Sequence, residues 1–185
     1  MKKIILLFFI FINFVYAFSY NDILLKSQAS IFPKIILLDK KLNNKLIDGK
    51  IVYTIVYEKD DYDTALEISK FMDAYYKGYF NEYIYKINLV EFSNLSNETE
   101  ASAIYVLNSD KYIKKTAEVA KRKGIVTFAY DINNLKNGLL FSLMLEKSSV
   151  LYLNKESLNN QAINFVDSLY LIVKFIDERS NYKQL

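Results

Sequence analysis

Lys50-Ile-Val-Tyr-Thr-Ile-Val-Tyr57 decides the fold. The run is β-branched and aromatic with nearly every position apolar, so both of its faces need cover, whereas a strand at a sheet surface would alternate. It reads as a central strand of a parallel sheet, introduced by Gly49. Two further stretches of similar character follow, Ala103-Ile-Tyr-Val-Leu107 and Ile125-Val-Thr-Phe-Ala129. Tyr83 to Val90 alternates more and is expected at a sheet edge.

Helical patterns separate these strands. Upstream, between Asn21 and Leu42, Ile23, Leu24, Ser27, Ile31, Ile35 and Leu38 follow helical spacing, with Pro33 predicting a kink or break around Phe32. Thr64 and Glu67 have capping-box spacing, and Ala65, Ile68, Met72 and Tyr75 or Tyr76 trace a stripe that ends at Gly78. A helix is expected from about Lys111 to Lys123, with Ile113, Thr116, Ala117 and Ala120 inward and Gly124 as its stop. Leu139–Leu145 and Val150–Leu153 read as a hairpin through Glu146-Lys-Ser-Ser149, and Val166, Leu169, Val173 and Ile176 as a closing helix. This alternation predicts one α/β domain, a Rossmann-like layered fold with a mostly parallel sheet and an added C-terminal hairpin. Right-handed crossovers put 83–90 on one side of 50–57 and 103–107 on the other, so the strand order reverses at 50–57.

Composition narrows the chemistry. The 185 residues contain no His, Cys or Trp, one Pro and four scattered Gly. Imidazole catalysis, thiol nucleophiles, Cys/His zinc sites, iron–sulfur clusters, disulfides and glycine-rich phosphate loops are therefore excluded. No enzyme activity, cofactor or metal is expected. Lys2 and Lys3 precede an apolar run that ends in Val15-Tyr16-Ala17, the pattern of a signal peptide over residues 1–17, which leaves an exported domain over 18–185. Without those two lysines, 22 basic residues face 21 acidic ones, too even a balance for nucleic acid or anionic lipid. No direct membrane insertion is expected after the leader is removed.

Two sets of residues are candidates for binding. Ligands of doubly wound sheets sit beyond the carboxyl ends of the strands at the point of reversal, where Asp60, Asp61, Asn108, Asp110 and Asp131 should converge. The competing reading gives these groups to helix caps and turns: Asp63 or Thr64 for one helix, Ser109 or Asp110 for the next, and Asp131 for a turn. Tyr75, Tyr76, Tyr79, Tyr83 and Tyr85 crowd one helix end and the expected edge strand, which suits a partner surface, with Tyr75, Tyr76, Tyr83 and Tyr85 as its candidates, or, equally, packing beneath that helix.

The order and spacing of several segments resemble the YfiR-like family of small periplasmic proteins, from about Ala29 to Lys174. The segments are Ala29-Ser-Ile-Phe-Pro-Lys-Ile-Ile-Leu-Leu38, Ala103-Ile-Tyr-Val-Leu107, Ile125-Val-Thr-Phe-Ala-Tyr-Asp131, Asn137-Gly138, Leu139-Leu-Phe-Ser-Leu143, Leu151-Tyr-Leu-Asn154-Lys-Glu-Ser-Leu158, Ile163-Asn-Phe165 and Ser168-Leu-Tyr-Leu-Ile-Val-Lys174. The resemblance implies a non-enzymatic regulator that binds the periplasmic sensor part of a membrane diguanylate cyclase and represses cyclic-di-GMP signalling. Its partner would be that membrane-bound sensor or a second copy of itself. Some relatives carry cysteines that are absent here, so redox control does not transfer. The alternative is a periplasmic small-solute-binding module related to one lobe of an ABC-type binding protein, since such a lobe shows the same β-α-β rhythm.

Overall fold

The computed structural model describes residues 18–161 and 163–176. The leader read at residues 1–17 lies outside them. Strand β1 (Ile51–Tyr57) is buried along almost its whole length, as its composition requires. On one side it pairs in parallel with β3 (Tyr83–Glu91) and on the other with β4 (Ala103–Val106). The sheet continues through β5 (Val126–Ala129) and β6 (Phe141–Leu145), both parallel to their predecessors. An antiparallel turn then leads to β7 (Ser149–Asn154), and β8 (Val173–Ile176) closes that side in parallel with β7. With the two-residue β2 (Tyr79–Phe80) against the start of β3, the order is β2-β3-β1-β4-β5-β6-β7-β8. The chain is thus a single α/β domain whose strand order reverses at β1.

Two hydrophobic layers cover the sheet. Helices α1 (Asp22–Ile36) and α2 (Tyr62–Tyr76) bring Leu25, Ala29, Phe32, Ala65, Ile68 and Met72 against Ile51, Tyr53, Ile55, Tyr105 and Phe128. On the opposite face α3 (Ile113–Lys123) presents Ile113, Ala117 and Ala120 to Val56, Ile104, Val106 and Ala129. Two short helices, α4 (Lys155–Gln161) and α5 (Asp167–Tyr170), follow β7. Phe32 stacks on Phe128 with ring centroids 4.5 Å apart, one of several aromatic contacts in the larger layer.

The structure departs from the sequence expectations in four places. First, α1 runs unbroken through Pro33 and ends at Ile36. Phe32 and Pro33 are both buried, and the packing of this turn compensates for the one missing N–H. Second, the buried residues of α1 are Leu25, Gln28, Ala29, Phe32, Pro33, Ile35 and Ile36: of the expected stripe Ile35 is buried and Leu24 and Ile31 are partly so, but the centre of the buried face lies one position further on and Ile23 faces solvent. Third, α2 begins at Tyr62, ahead of Thr64, so the expected capping box does not open it. Fourth, the helix expected over Val166–Ile176 is the short α5 followed by strand β8. The outer edge of β7 offers backbone groups that a strand satisfies and a helix cannot.

Gln28 explains the rotation of α1. Its side chain is fully buried; Nε2 donates to the Tyr130 carbonyl at 3.0 Å and to the Leu143 carbonyl at 3.2 Å, while Oε1 accepts from the Tyr105 hydroxyl. One amide therefore joins α1 to β4, β6 and the residue that follows β5. Gln28→Leu removes the amide from the Tyr105 hydroxyl and the Leu143 carbonyl and leaves the Tyr130 carbonyl only the Ser142 hydroxyl at 3.5 Å, and we expect a loss of about 2–4 kcal/mol in urea unfolding. Tyr75→Ser, on the exposed face of α2, should change stability by less than about 0.5 kcal/mol in the same measurement.

Candidate functional site

Three chain reversals meet above the carboxyl ends of β1, β4 and β5. After β1 come Glu58, Lys59, Asp60 and Asp61; after β4 come Asn108, Ser109 and Asp110; after β5 come Tyr130 and Asp131. A crevice of about 600 Å³ opens there, lined by Phe18, Ser19, Glu58, Lys59, Asp60, Asp61, Asp110, Lys111 and Tyr112. It lies at the reversal of strand order, where the two neighbours of β1 leave on opposite sides and the loops splay apart. Four carboxylates against two lysines make its lining acidic. Among the described residues no group of three acidic side chains is placed to hold a metal ion.

The loops are fastened to one another. Ser109 Oγ donates to Glu58 and accepts the N–H groups of Lys111 at 3.2 Å and Tyr112 at 3.1 Å, tying the β1 and β4 loops together ahead of α3. Asn134 Nδ2 donates to Asn108 Oδ1 at 3.2 Å, which adds the loop after β5.

Tyr20, from the segment preceding α1, joins the loops after β1 and β4. Its hydroxyl donates to Asp61 Oδ2 at 2.8 Å and accepts the Asn108 N–H at 3.2 Å. Its ring meets that of Tyr130 edge-on, with centroids 4.8 Å apart, and the Tyr130 hydroxyl accepts the Asn21 N–H at 2.8 Å. Asn21 then caps α1 through Oδ1 and the Leu24 N–H. Burial, reinforced by the Asp61 carboxylate it bonds, raises the Tyr20 phenol far above its ordinary range. Burial also raises Asp61; the Tyr20 hydroxyl opposes that rise, while Glu58 and Asp60 add to it.

Of the residues proposed for a ligand site, Asp60, Asp61 and Asp110 line the crevice, and Asn108 is not in its lining but donates its backbone N–H to Tyr20. Asp131 does other work: its Oδ1 accepts the backbone N–H of Asn133 at 2.8 Å and holds a turn, as the capping reading has it. The tyrosines divide. Tyr85 is buried, stacks on Phe80 at 4.0 Å and donates to Asp73, while Tyr76 donates to the Ser30 carbonyl; both pack beneath their own helix. Tyr83 is half-buried and bonds Asn43, which leaves Tyr75 and Tyr79 of the tyrosine cluster, with the unforeseen Ile84, as the exposed apolar groups at that edge. Sequence reasoning also missed Tyr20 and Tyr130, because nothing local marks two tyrosines that are 110 positions apart as neighbours.

The fold and crevice define a class, a single α/β domain with an acidic switch-point cleft. No protein-family model matches the chain, and no curated protein matches its sequence. Among solved structures it is similar to a conserved domain protein from Vibrio cholerae O1 biovar El Tor strain N16961, with 13% identity and a TM-score of 0.54 over 79% of this chain and 60% of that one. It is also similar to the ABC domain in complex with L-Trp from Streptococcus pneumonia, with 10% identity and a TM-score of 0.48 over 76% of this chain and 61% of that one. The chain thus spans about three fifths of each, and the likeness to the Vibrio cholerae protein is one of fold.

The raised Asp61 carboxyl has a measurable consequence. Its folded value lies above the ordinary 3.8, so the folded protein holds this proton more tightly than the unfolded chain, and stability falls as pH rises from about 4 through the raised value. Asp61→Asn keeps an acceptor for Tyr20 and removes the charge. The melting temperature of the wild type relative to this variant should be highest near pH 4 and decline toward neutrality; a difference that does not vary with pH contradicts the assignment.

Proposed function

We propose that the protein is a non-enzymatic, periplasmic small-solute-binding module whose ligand enters the crevice above β1 and β4. The observation that carries this reading is the crevice itself: about 600 Å³, at the switch point, with Asp60 and Asp110 exposed at its rim and Tyr112 in its wall. Tyr112 stacks on Phe92 with centroids 5.7 Å apart, which gives that wall a packed backing. A polar solute bearing an amine suits the four carboxylates, and the volume suits a small molecule. A panel of amino acids and small amines, tyramine included, screened by thermal shift tests the reading. At least one member should raise the melting temperature of the wild type by several degrees, and Asp60→Ala with Asp110→Ala should abolish the rise without lowering the unliganded melting temperature. A panel without effect on the wild type refutes it.

A second reading follows the family resemblance, in which the protein binds the periplasmic sensor part of a membrane diguanylate cyclase and holds down cyclic-di-GMP synthesis. The exposed Tyr75, Tyr79 and Ile84 favour it, because they flank an edge where β2 covers only Tyr83 and Ile84 of β3. Tyr79→Ser with Ile84→Ser should then raise cyclic-di-GMP in the cell while the fold survives. An unchanged level removes this reading and leaves the crevice as the functional surface.

A further inference from the structure

Tyr20 is held on Asp61, a residue of the crevice lining, as a ligand would be. One hydroxyl is held between an acceptor, Asp61 Oδ2 at 2.8 Å, and a donor, the Asn108 N–H at 3.2 Å, and one ring lies against the edge of Tyr130. An acceptor and a donor converging on one oxygen beside an aromatic wall form a receptor for a phenol. Asp61 lines the crevice and is itself buried, so a hydroxyl that reaches it supplies the hydrogen bond that water no longer does. The other acids of the lining differ: Asp60 and Asp110 are exposed, at a place suited to an ammonium group. The segment that supplies Tyr20 joins α1 through Asn21, and Ser19 and Asn21 are both exposed.

We propose that the crevice recognises a hydroxyaryl amine, whose phenol replaces the Tyr20 side chain on Asp61 and the Asn108 N–H while its ammonium meets Asp60 and Asp110. The proposal rests on the solute-binding reading and names the ligand class of that same site. Tyr20 is then a tethered competitor. Being attached one residue from α1, it acts at a high effective concentration, and the apparent affinity for solute is reduced by the fraction of molecules in which Tyr20 fills the site.

The test uses tyramine and its deoxy counterpart phenethylamine, titrated calorimetrically into the wild type, Tyr20→Ala and Tyr20→Phe. Tyr20→Ala should bind tyramine at least about tenfold more tightly than the wild type, and tyramine at least about tenfold more tightly than phenethylamine. Tyr20→Phe keeps the ring and loses both hydroxyl bonds, so it should fall between them, and it carries the comparison if Tyr20→Ala does not fold. A further readout separates displacement from the filling of a void. In wild type with labelled tyrosine rings, saturating tyramine should move the Tyr20 resonance, assigned by its absence from Tyr20→Phe, to that of an exposed tyrosine. Binding by Tyr20→Ala while the wild-type Tyr20 resonance stays in place overturns the proposal, as does equal affinity for tyramine and phenethylamine. If another solute binds and depends on Asp60 and Asp110 while Tyr20 stays in place, the solute-binding reading stands and this inference falls. If no solute binds the wild type or either variant, both fall.

Discussion

The Gln28 amide is the constraint on which the arrangement of this molecule depends. The Tyr130 and Leu143 carbonyls and the Tyr105 hydroxyl point into the layer beneath α1, where no water reaches, and each needs a partner. A single planar amide meets all three only if α1 crosses the sheet at one height and one rotation. That rotation turns Leu25, Ala29 and Phe32 inward and leaves Ile23 in solvent. It also fixes where α1 begins. Asn21 then stands beside Tyr130, and the preceding residue can only drop into the space above the ends of β1 and β4.

The electrostatics of the crevice follow from that placement. A buried carboxylate is costly unless a donor reaches it, and the Tyr20 hydroxyl is such a donor for Asp61. The far end of the helix is anchored in a similar way: Asp39 is buried, pairs with Lys45 and accepts the Lys41 N–H at 2.9 Å, holding the connection that leads into β1. Hence both ends of the first helix are secured by a buried acid. The one at the crevice borders a space that a small molecule could enter. The exposed apolar groups at the β2–β3 edge lie apart from this machinery, and the protein-docking reading stands or falls independently of the crevice.

Much of the layout was legible in the chain itself. The three runs at 51–57, 103–106 and 126–129 are short, apolar on both faces and separated by helical periods, and such runs have few arrangements other than neighbouring parallel strands under two helical layers. Gly124 at φ +62° ends α3 where a left-handed residue is required, and the Glu146–Ser149 turn joins two antiparallel strands as its spacing indicates. Asp60, Asp61 and Asp110 could be assigned to one crevice because strand polarity alone determines which loops share an end of the sheet.

What the sequence could not disclose depends on partners distant along the chain. The apolar periodicity of α1 is nearly continuous, so two adjacent faces compete, and the choice belongs to a polar residue, Gln28, that hydrophobic patterning excludes from the core. Val166, Leu169, Val173 and Ile176 satisfy a helical spacing, yet the bare edge of β7 requires backbone donors and acceptors, and hydrogen bonding across the sheet outweighs local periodicity there. Alternation along β3 exposes one face in principle, but Phe80 turns back over it and buries Tyr85. The same holds for the site. Composition and strand polarity determined that acidic loops would gather at the switch point, because these are properties of each segment taken alone. Only the tertiary structure decided that Tyr20 would fill the space between them, since its hydroxyl finds Asp61 and the Asn108 N–H across 41 and 88 residues of chain, and no local signal carries that distance.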